Sequence, residues 1–187
     1  MVLKRAIIGV GNRLMGDEGV GIHAIEYLRK ATKNIIRRDL SPSKSAKKGI
    51  IKKYPPLGVR PFFDILDGGT GGITLLHMFE SYDRVILIDA ANFGATPGTL
   101  KTFDLKEINF SPDSAQVSLH GTSLAGILEL AKKLGTKLPR ITIIAVQPKK
   151  ICPSMELSVE CKNAIPKIAE IVRTSVGGNA ENVLKSL

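Results

Sequence analysis

The run Arg84-Val85-Ile86-Leu87-Ile88-Asp89 restricts the possible folds of this chain more than any other stretch. It is continuously apolar and rich in β-branched residues, with no polar residue at every second position. That pattern describes a strand buried on both faces, as at the centre of a parallel sheet. Such a strand needs helices above and below it, and the flanking sequence supplies strands and helices in alternation. A strand at residues 5–9 precedes a helix expected from about 18 to 30, with Val20, Ile22, Ile25 and Leu28 as its apolar stripe. Residues 62–67 read as a second strand and 73–80 as a short helix. The central run is expected to stop at Asp89-Ala90-Ala91, and residues 99–104 alternate as an edge strand does. A helix with Leu124, Ile127, Leu128 and Ala131 on one side closes at Gly135, and residues 140–146 form the last strand. Ser158 caps a final helix to about residue 176, with Pro166 as a point of kinking. The expectation is a three-layer α/β/α domain with a mainly parallel sheet, and 187 residues suffice for one such domain.

In that fold every strand-to-helix loop leaves the same edge of the sheet, where ligands bind. The first loop, Gly9-Val10-Gly11-Asn12-Arg13-Leu14-Met15-Gly16-Asp17-Glu18, is no dinucleotide turn. Leu14 stands where the third glycine belongs, and two acids at a helix start repel a pyrophosphate. Taken alone, Asp17 reads as an N-cap and Glu18 as a first-turn acid facing the helix dipole. Asp67 opens Gly68-Gly69-Thr70-Gly71-Gly72, which allows either a tight turn or a close approach of backbone to a ligand. Asp89 ends the central run, and His120 precedes a helix. Each has an ordinary explanation by itself. Gathered at one edge, carboxylates repel unless a cation or a proton lies between them. Two carboxylates and an imidazole make a three-ligand set for a divalent metal, with positions left open for water or substrate. This places a metal-binding hydrolase among the candidates. His23 and His77 lie in helix patterns and stand apart from the set.

The net charge of +10 belongs to one segment. Residues 29–60 hold 11 Lys/Arg against the single acid Asp39, and elsewhere the two signs cancel. The stretch at about 41–61, rich in Lys, Ser and Pro, reads as a solvated basic insertion in one domain, a loop with a short strand expected at Ile50-Ile51. No interleaved aromatics support nucleic-acid stacking, and no run is long enough for membrane insertion. Cys152 and Cys161 form no C-x-x-C pair. They read as inert thiols of a reducing cytoplasm, away from the expected site.

These motifs resemble the hydrogenase maturation endopeptidases. The resemblance rests on Gly9-Val10-Gly11-Asn12 with Asp17-Glu18, Asp67-Gly68-Gly69-Thr70-Gly71, Ile88-Asp89-Ala90 with Pro97-Gly98-Thr99, His120 before a helix, and Val146-Gln147-Pro148 with Leu157-Ser158. It implies a five-stranded sheet of order 2-1-3-5-4 with strand 4 antiparallel. It also implies that Glu18, Asp89 and His120 hold a metal, namely nickel already placed in the substrate, for which other divalent metals can substitute. The implied partner is the precursor of a nickel–iron hydrogenase large subunit, whose C-terminal extension is cut once nickel is inserted. Asp17 would act as a base or orient a ligand, and the turn from Asp67 through Gly71 would receive the substrate tail. Two other readings remain open: a nickel-sensing or nickel-delivery partner that cuts nothing, and a phosphate binder at Gly9–Gly11.

Overall fold

Six strands form one mixed sheet in the computed structural model, which describes residues 3–40, 63–105, 118–119 and 124–177. The strands are β1 (Arg5–Gly9), β2 (Asp64–Asp67), β3 (Arg84–Asn92), β4 (Leu100–Asp104), β5 (Ser118–Leu119) and β6 (Arg140–Val146). The helices are α1 (Val20–Leu40), α2 (Ile73–Glu80), α3 (Leu124–Leu134) and α4 (Val159–Gly177), and a 3-10 turn covers Asp17–Gly19. The long strands run β2-β1-β3-β6-β4, and the two-residue β5 pairs with the end of β3. Without β5 this is the expected order 2-1-3-5-4. β4 is antiparallel to β6, and the other long pairs are parallel.

The central strand is buried from Val85 through Ala91, and its alternating side chains feed two cores. Val85, Leu87 and Ala91 meet Leu75, Leu76 and Phe79 of α2 and Ile127 and Ala131 of α3. Ile86, Ile88 and Ala90 meet Val20, Ala24 and Ile25 of α1 and Cys161, Ala164 and Ile168 of α4. Two helices on each face make the three layers. No helix among the described residues is long and apolar enough to cross a membrane.

Three boundaries depart from expectation. β3 continues past Asp89 to Asn92, because Ala91 and Asn92 pair with Leu119 and Ser118. α1 continues to Leu40, since no Gly or Pro interrupts it before Pro42. β2 begins only at Asp64. Gly135 ends α3 as expected: it adopts a φ of 65°, and the Thr136 N–H donates back to the Ala131 carbonyl at 2.9 Å. Ser158 caps α4 through its hydroxyl, which accepts the Cys161 N–H at 3.3 Å, and the helix runs on through Pro166. The basic insertion, with the strand expected at Ile50-Ile51, lies outside the described residues.

Candidate active site

The site begins where β1 and β3 part. Val10 donates its N–H to the Ile88 carbonyl at 3.0 Å, and the chain then swings toward β2, where the Gly11 N–H donates to the Gly69 carbonyl at 2.9 Å. Asp89, the next residue of β3, therefore has no β1 residue beside it. It stays in register with Ala145 of β6 on its other side. β1 connects to β2 on one side and, by way of β2, to β3 on the other, so this gap is the switch point of the sheet.

Two close approaches bring the first turn to this gap. A Cβ on Gly9 would lie 2.2 Å from the Gly21 carbonyl oxygen, and one on Gly21 would lie 2.3 Å from the carbonyl oxygens of Ile88 and Val10. Only glycine lets the start of α1 settle directly on the strand ends. Glu18 is thereby held, half-buried, in the 3-10 turn above β3.

Asp89 is 7% exposed. Burial pushes its carboxyl well above the usual range; the Ala90 N–H, donating at 2.8 Å, opposes this, and the charge of Glu18 adds to it. Among the described residues no basic group compensates. A buried carboxyl beside a second carboxylate is the environment that a cation would relieve, so Glu18 and Asp89 fit a metal.

Asp17 corrects the expectation made for it. It is not an N-cap, a position held by Gly16. At 1% exposure its Oδ2 accepts the N–H groups of Lys149 at 2.9 Å and Lys150 at 3.0 Å, and its Oδ1 accepts that of Ser158 at 2.7 Å. Burial alone would raise its pKa, but these bonds outweigh burial and hold it below the ordinary value. Asp17 fastens the β6–α4 loop to the first turn and so positions Glu18.

Asp67 ends β2 at the same edge, and its Oδ1 accepts the Gly69 N–H at 2.8 Å, a bond that shapes the glycine turn. Gly68 is buried against Val10 and Ile8, whereas a Cβ at Gly69 or Gly71 would meet nothing within 4 Å. Thr70 between them is exposed. This turn is open backbone at the rim. His120 lies outside the described residues; Leu119, the residue before it, pairs with Ala91, two positions past Asp89. Among the described residues no three His, Cys, Asp or Glu side chains form a metal-binding group. His77 is exposed beside Glu80, and His23 has a buried Nε2 without a partner.

The cysteines stand nearer than expected. Cys152 lines a cavity with Gly16 and Asp17, and the buried Cys161 thiol donates to the Gln147 carbonyl at 3.7 Å. Burial, with the charge of Asp17 adding to it, pushes the Cys161 thiol up to about 11, which leaves it unreactive. Gln147 had no role assigned from sequence, although Gln-Pro marks the strand end. It is buried, and its Oε1 accepts the N–H groups of Phe93 at 2.9 Å and Ala95 at 3.3 Å. Its Nε2 donates to Asn92 Oδ1 at 3.1 Å. The loop leaving β3 hangs on this one side chain.

A family model described as "HycI: Hydrogenase maturation protease" matches residues 56–175. That span takes in Asp67–Gly71, Asp89 and His120, while Asp17 and Glu18 precede it. The hydrogenase expression/formation protein HupD of Rhizobium leguminosarum bv. viciae is 32% identical over 142 residues, covering 76% of this chain and 58% of that protein. The chain thus spans little more than half the length of the curated relatives it matches. Among solved structures, the hydrogenase 2 maturation peptidase from Thaumarchaeota archaeon SCGC_AB-539-E09 is 28% identical with a TM-score of 0.58, over 93% of this chain and 98% of that one. The hydrogenase maturating endopeptidase HybD from E. coli is 25% identical with a TM-score of 0.62, over 91% and 90%. By the match to the family model and by the HupD identity, this chain belongs to the hydrogenase maturation protease family.

Proposed function

We propose that this protein is an endopeptidase that removes the C-terminal extension of a nickel–iron hydrogenase large-subunit precursor once nickel has been inserted. The observation that carries the reading is Asp89, a buried carboxyl at the switch point with Glu18 as a like-charged neighbour and, among the described residues, no basic partner. Family membership supplies the substrate class. In this reading the nickel arrives with the precursor, and Glu18, Asp89 and His120 hold it. Bound there, the ion would polarise the scissile carbonyl or acidify a water. The chain's own residues do the rest. Asp17 keeps Glu18 in place, and the open backbone at Gly69 and Gly71 leaves room for the extended tail along the rim.

The test is cleavage of nickel-loaded precursor, read by mass. Glu18→Gln and Asp89→Asn should each slow processing by more than about 100-fold, since even residues behind a ligand cost up to that much. Nickel-free precursor should stay uncut. Parental rates in both variants would refute the assigned roles. A parental protein that binds the loaded precursor and leaves its mass unchanged would replace the peptidase with a nickel-sensing or nickel-delivery partner.

A further inference from the structure

Past the switch point β3 changes neighbours. β1 pairs with it as far as Ile88, and beyond Asp89 and Ala90 the short β5 takes over, with Leu119 opposite Ala91 and Ser118 opposite Asn92. Two residue pairs hold little by themselves, since even a whole two-stranded hairpin is marginal in water. The end of β3 therefore needs a second anchor, and the residue after β6 supplies it. Gln147 is itself fixed by its backbone, which donates to the Thr99 carbonyl at 2.9 Å and accepts the Gly98 N–H at 2.8 Å. Its side chain then reaches the end of β3. Backbone N–H groups can only donate, so those of Phe93 and Ala95, at 2.9 and 3.3 Å, require an oxygen in front of them. Oε1 must face them, which leaves Nε2 for Asn92 and for the Pro148 carbonyl at 3.3 Å. The Gly94 N–H, 3.2 Å from Asn92 Oδ1, fixes that atom as an oxygen in the same way. The 3.1 Å bond from Gln147 Nε2 to Asn92 Oδ1 thus runs in one direction, and turning either amide over would set donor against donor.

Resting on the peptidase reading, we propose that Gln147 and Asn92 are positioning residues, which hold the end of β3 and so fix the register in which β5 lies against it. Register matters here because each strand of the pair adjoins an expected ligand. Asp89 stands two positions before Ala91, and His120 follows Leu119 directly in the chain. A slip of one residue turns a strand's side chains to the opposite face and carries the chain about 3.3 Å along its partner. Metal ligation tolerates only about 0.2 Å. The two side chains suit the task in different ways. Gln147 is buried, so its amide belongs in the interior only while these bonds satisfy it. Asn92 is exposed and fills no part of either core, which leaves hydrogen bonding as the use of its side chain.

The experiment uses the whole protein and two substitutions at the exposed Asn92. Asn92→Ala removes the acceptor, whereas Asn92→Asp keeps an oxygen for both donors. In Asn92→Ala without precursor, amide hydrogen exchange across Ser118–Leu119 should rise by about tenfold or more, while Ile86–Ile88 keep the parental rate. With nickel-loaded precursor, kcat/KM should fall by about tenfold or more, the loss expected when a residue behind a metal ligand is removed. Asn92→Asp should restore both. Parental exchange in β5, or parental kcat/KM, in Asn92→Ala would overturn the proposal. So would a rise in exchange along all of β3, which would make Asn92 a support of the fold, and so would an Asn92→Asp variant as slow as Asn92→Ala. If the parental chain itself leaves the loaded precursor uncut, the peptidase reading fails. Exchange across Ser118–Leu119 then still decides, separately, whether Asn92 holds β5.

Discussion

Asp17 keeps a carboxylate charge in the interior because three backbone N–H groups point at it, whereas Asp89 has one, from its own neighbour Ala90. Replacing them should therefore have unlike results. In Asp17→Asn a single amide oxygen replaces two carboxylate oxygens, and the new NH2 group faces at least one of the former donors. A buried donor left unpaired costs about 1–3 kcal/mol, and that loss should show in urea unfolding. Precursor cleavage should fall as well, because the turn that carries Glu18 loses its tie to the β6–α4 loop. Asp89→Asn should unfold no earlier than the parent in the same titration, since burial disfavours the carboxylate charge that the amide lacks, and the amide oxygen can still accept the Ala90 N–H. Equal stability losses in the two variants would contradict the contrast. The sequence showed that both positions were acids near one edge, but it could not separate their roles. An acid at a helix start looks the same whether it caps that helix or reaches across the fold, and the partners of Asp17 lie more than 130 positions away along the chain.

Strand and helix identities were legible because periodicity reports burial, and burial is what the elements share. Their ends were less legible, because partners set them. β3 gains its last residues from pairing with Ser118–Leu119, a strand too short to announce itself. The close seating of α1 on β1 and β3 was equally hidden. Gly21 reads as a weak helix residue, and helix propensity alone would make Gly21→Ala stabilising by about 1 kcal/mol. Contact reverses the sign. The added methyl would lie 2.3 Å from the carbonyl oxygens of Ile88 and Val10, which are backbone atoms that a side-chain rotation cannot relieve. Gly21→Ala should destabilise by roughly 1–3 kcal/mol or more. It should also depress cleavage, by pushing the turn bearing Glu18 away from the strand that bears Asp89. An alanine variant that melts at or above the parental temperature would show that α1 can shift without cost.

At the scale of the molecule, the two cores fix the sheet between its helix layers, and topology then delivers the loops after β1, β2, β3 and β6 to one edge. That much follows from alternating strands and helices, which is why the candidate site could be drawn before any coordinate was known. What locks those loops to one another does not follow, because it depends on single polar side chains reaching between elements. Gln147 is the clearest of these. Its side chain holds Asn92, Phe93 and Ala95 after β3, while its backbone takes the Gly98 N–H at 2.8 Å and donates to the Thr99 carbonyl at 2.9 Å before β4. Its carbonyl also receives the Cys161 thiol of α4. Truncation to alanine removes only the side-chain bonds, so the backbone ties to Gly98 and Thr99 should survive. Gln147→Ala should therefore speed amide hydrogen exchange at Phe93 and Ala95 by about tenfold or more, as a local opening does, and leave Ile86–Ile88 in the strand interior at the parental rate. Residue-resolved exchange separates the outcomes. A uniform rise across β3 would mean that Gln147 supports the whole fold, and unchanged protection at Phe93 and Ala95 would mean that the loop is held by something other than this amide.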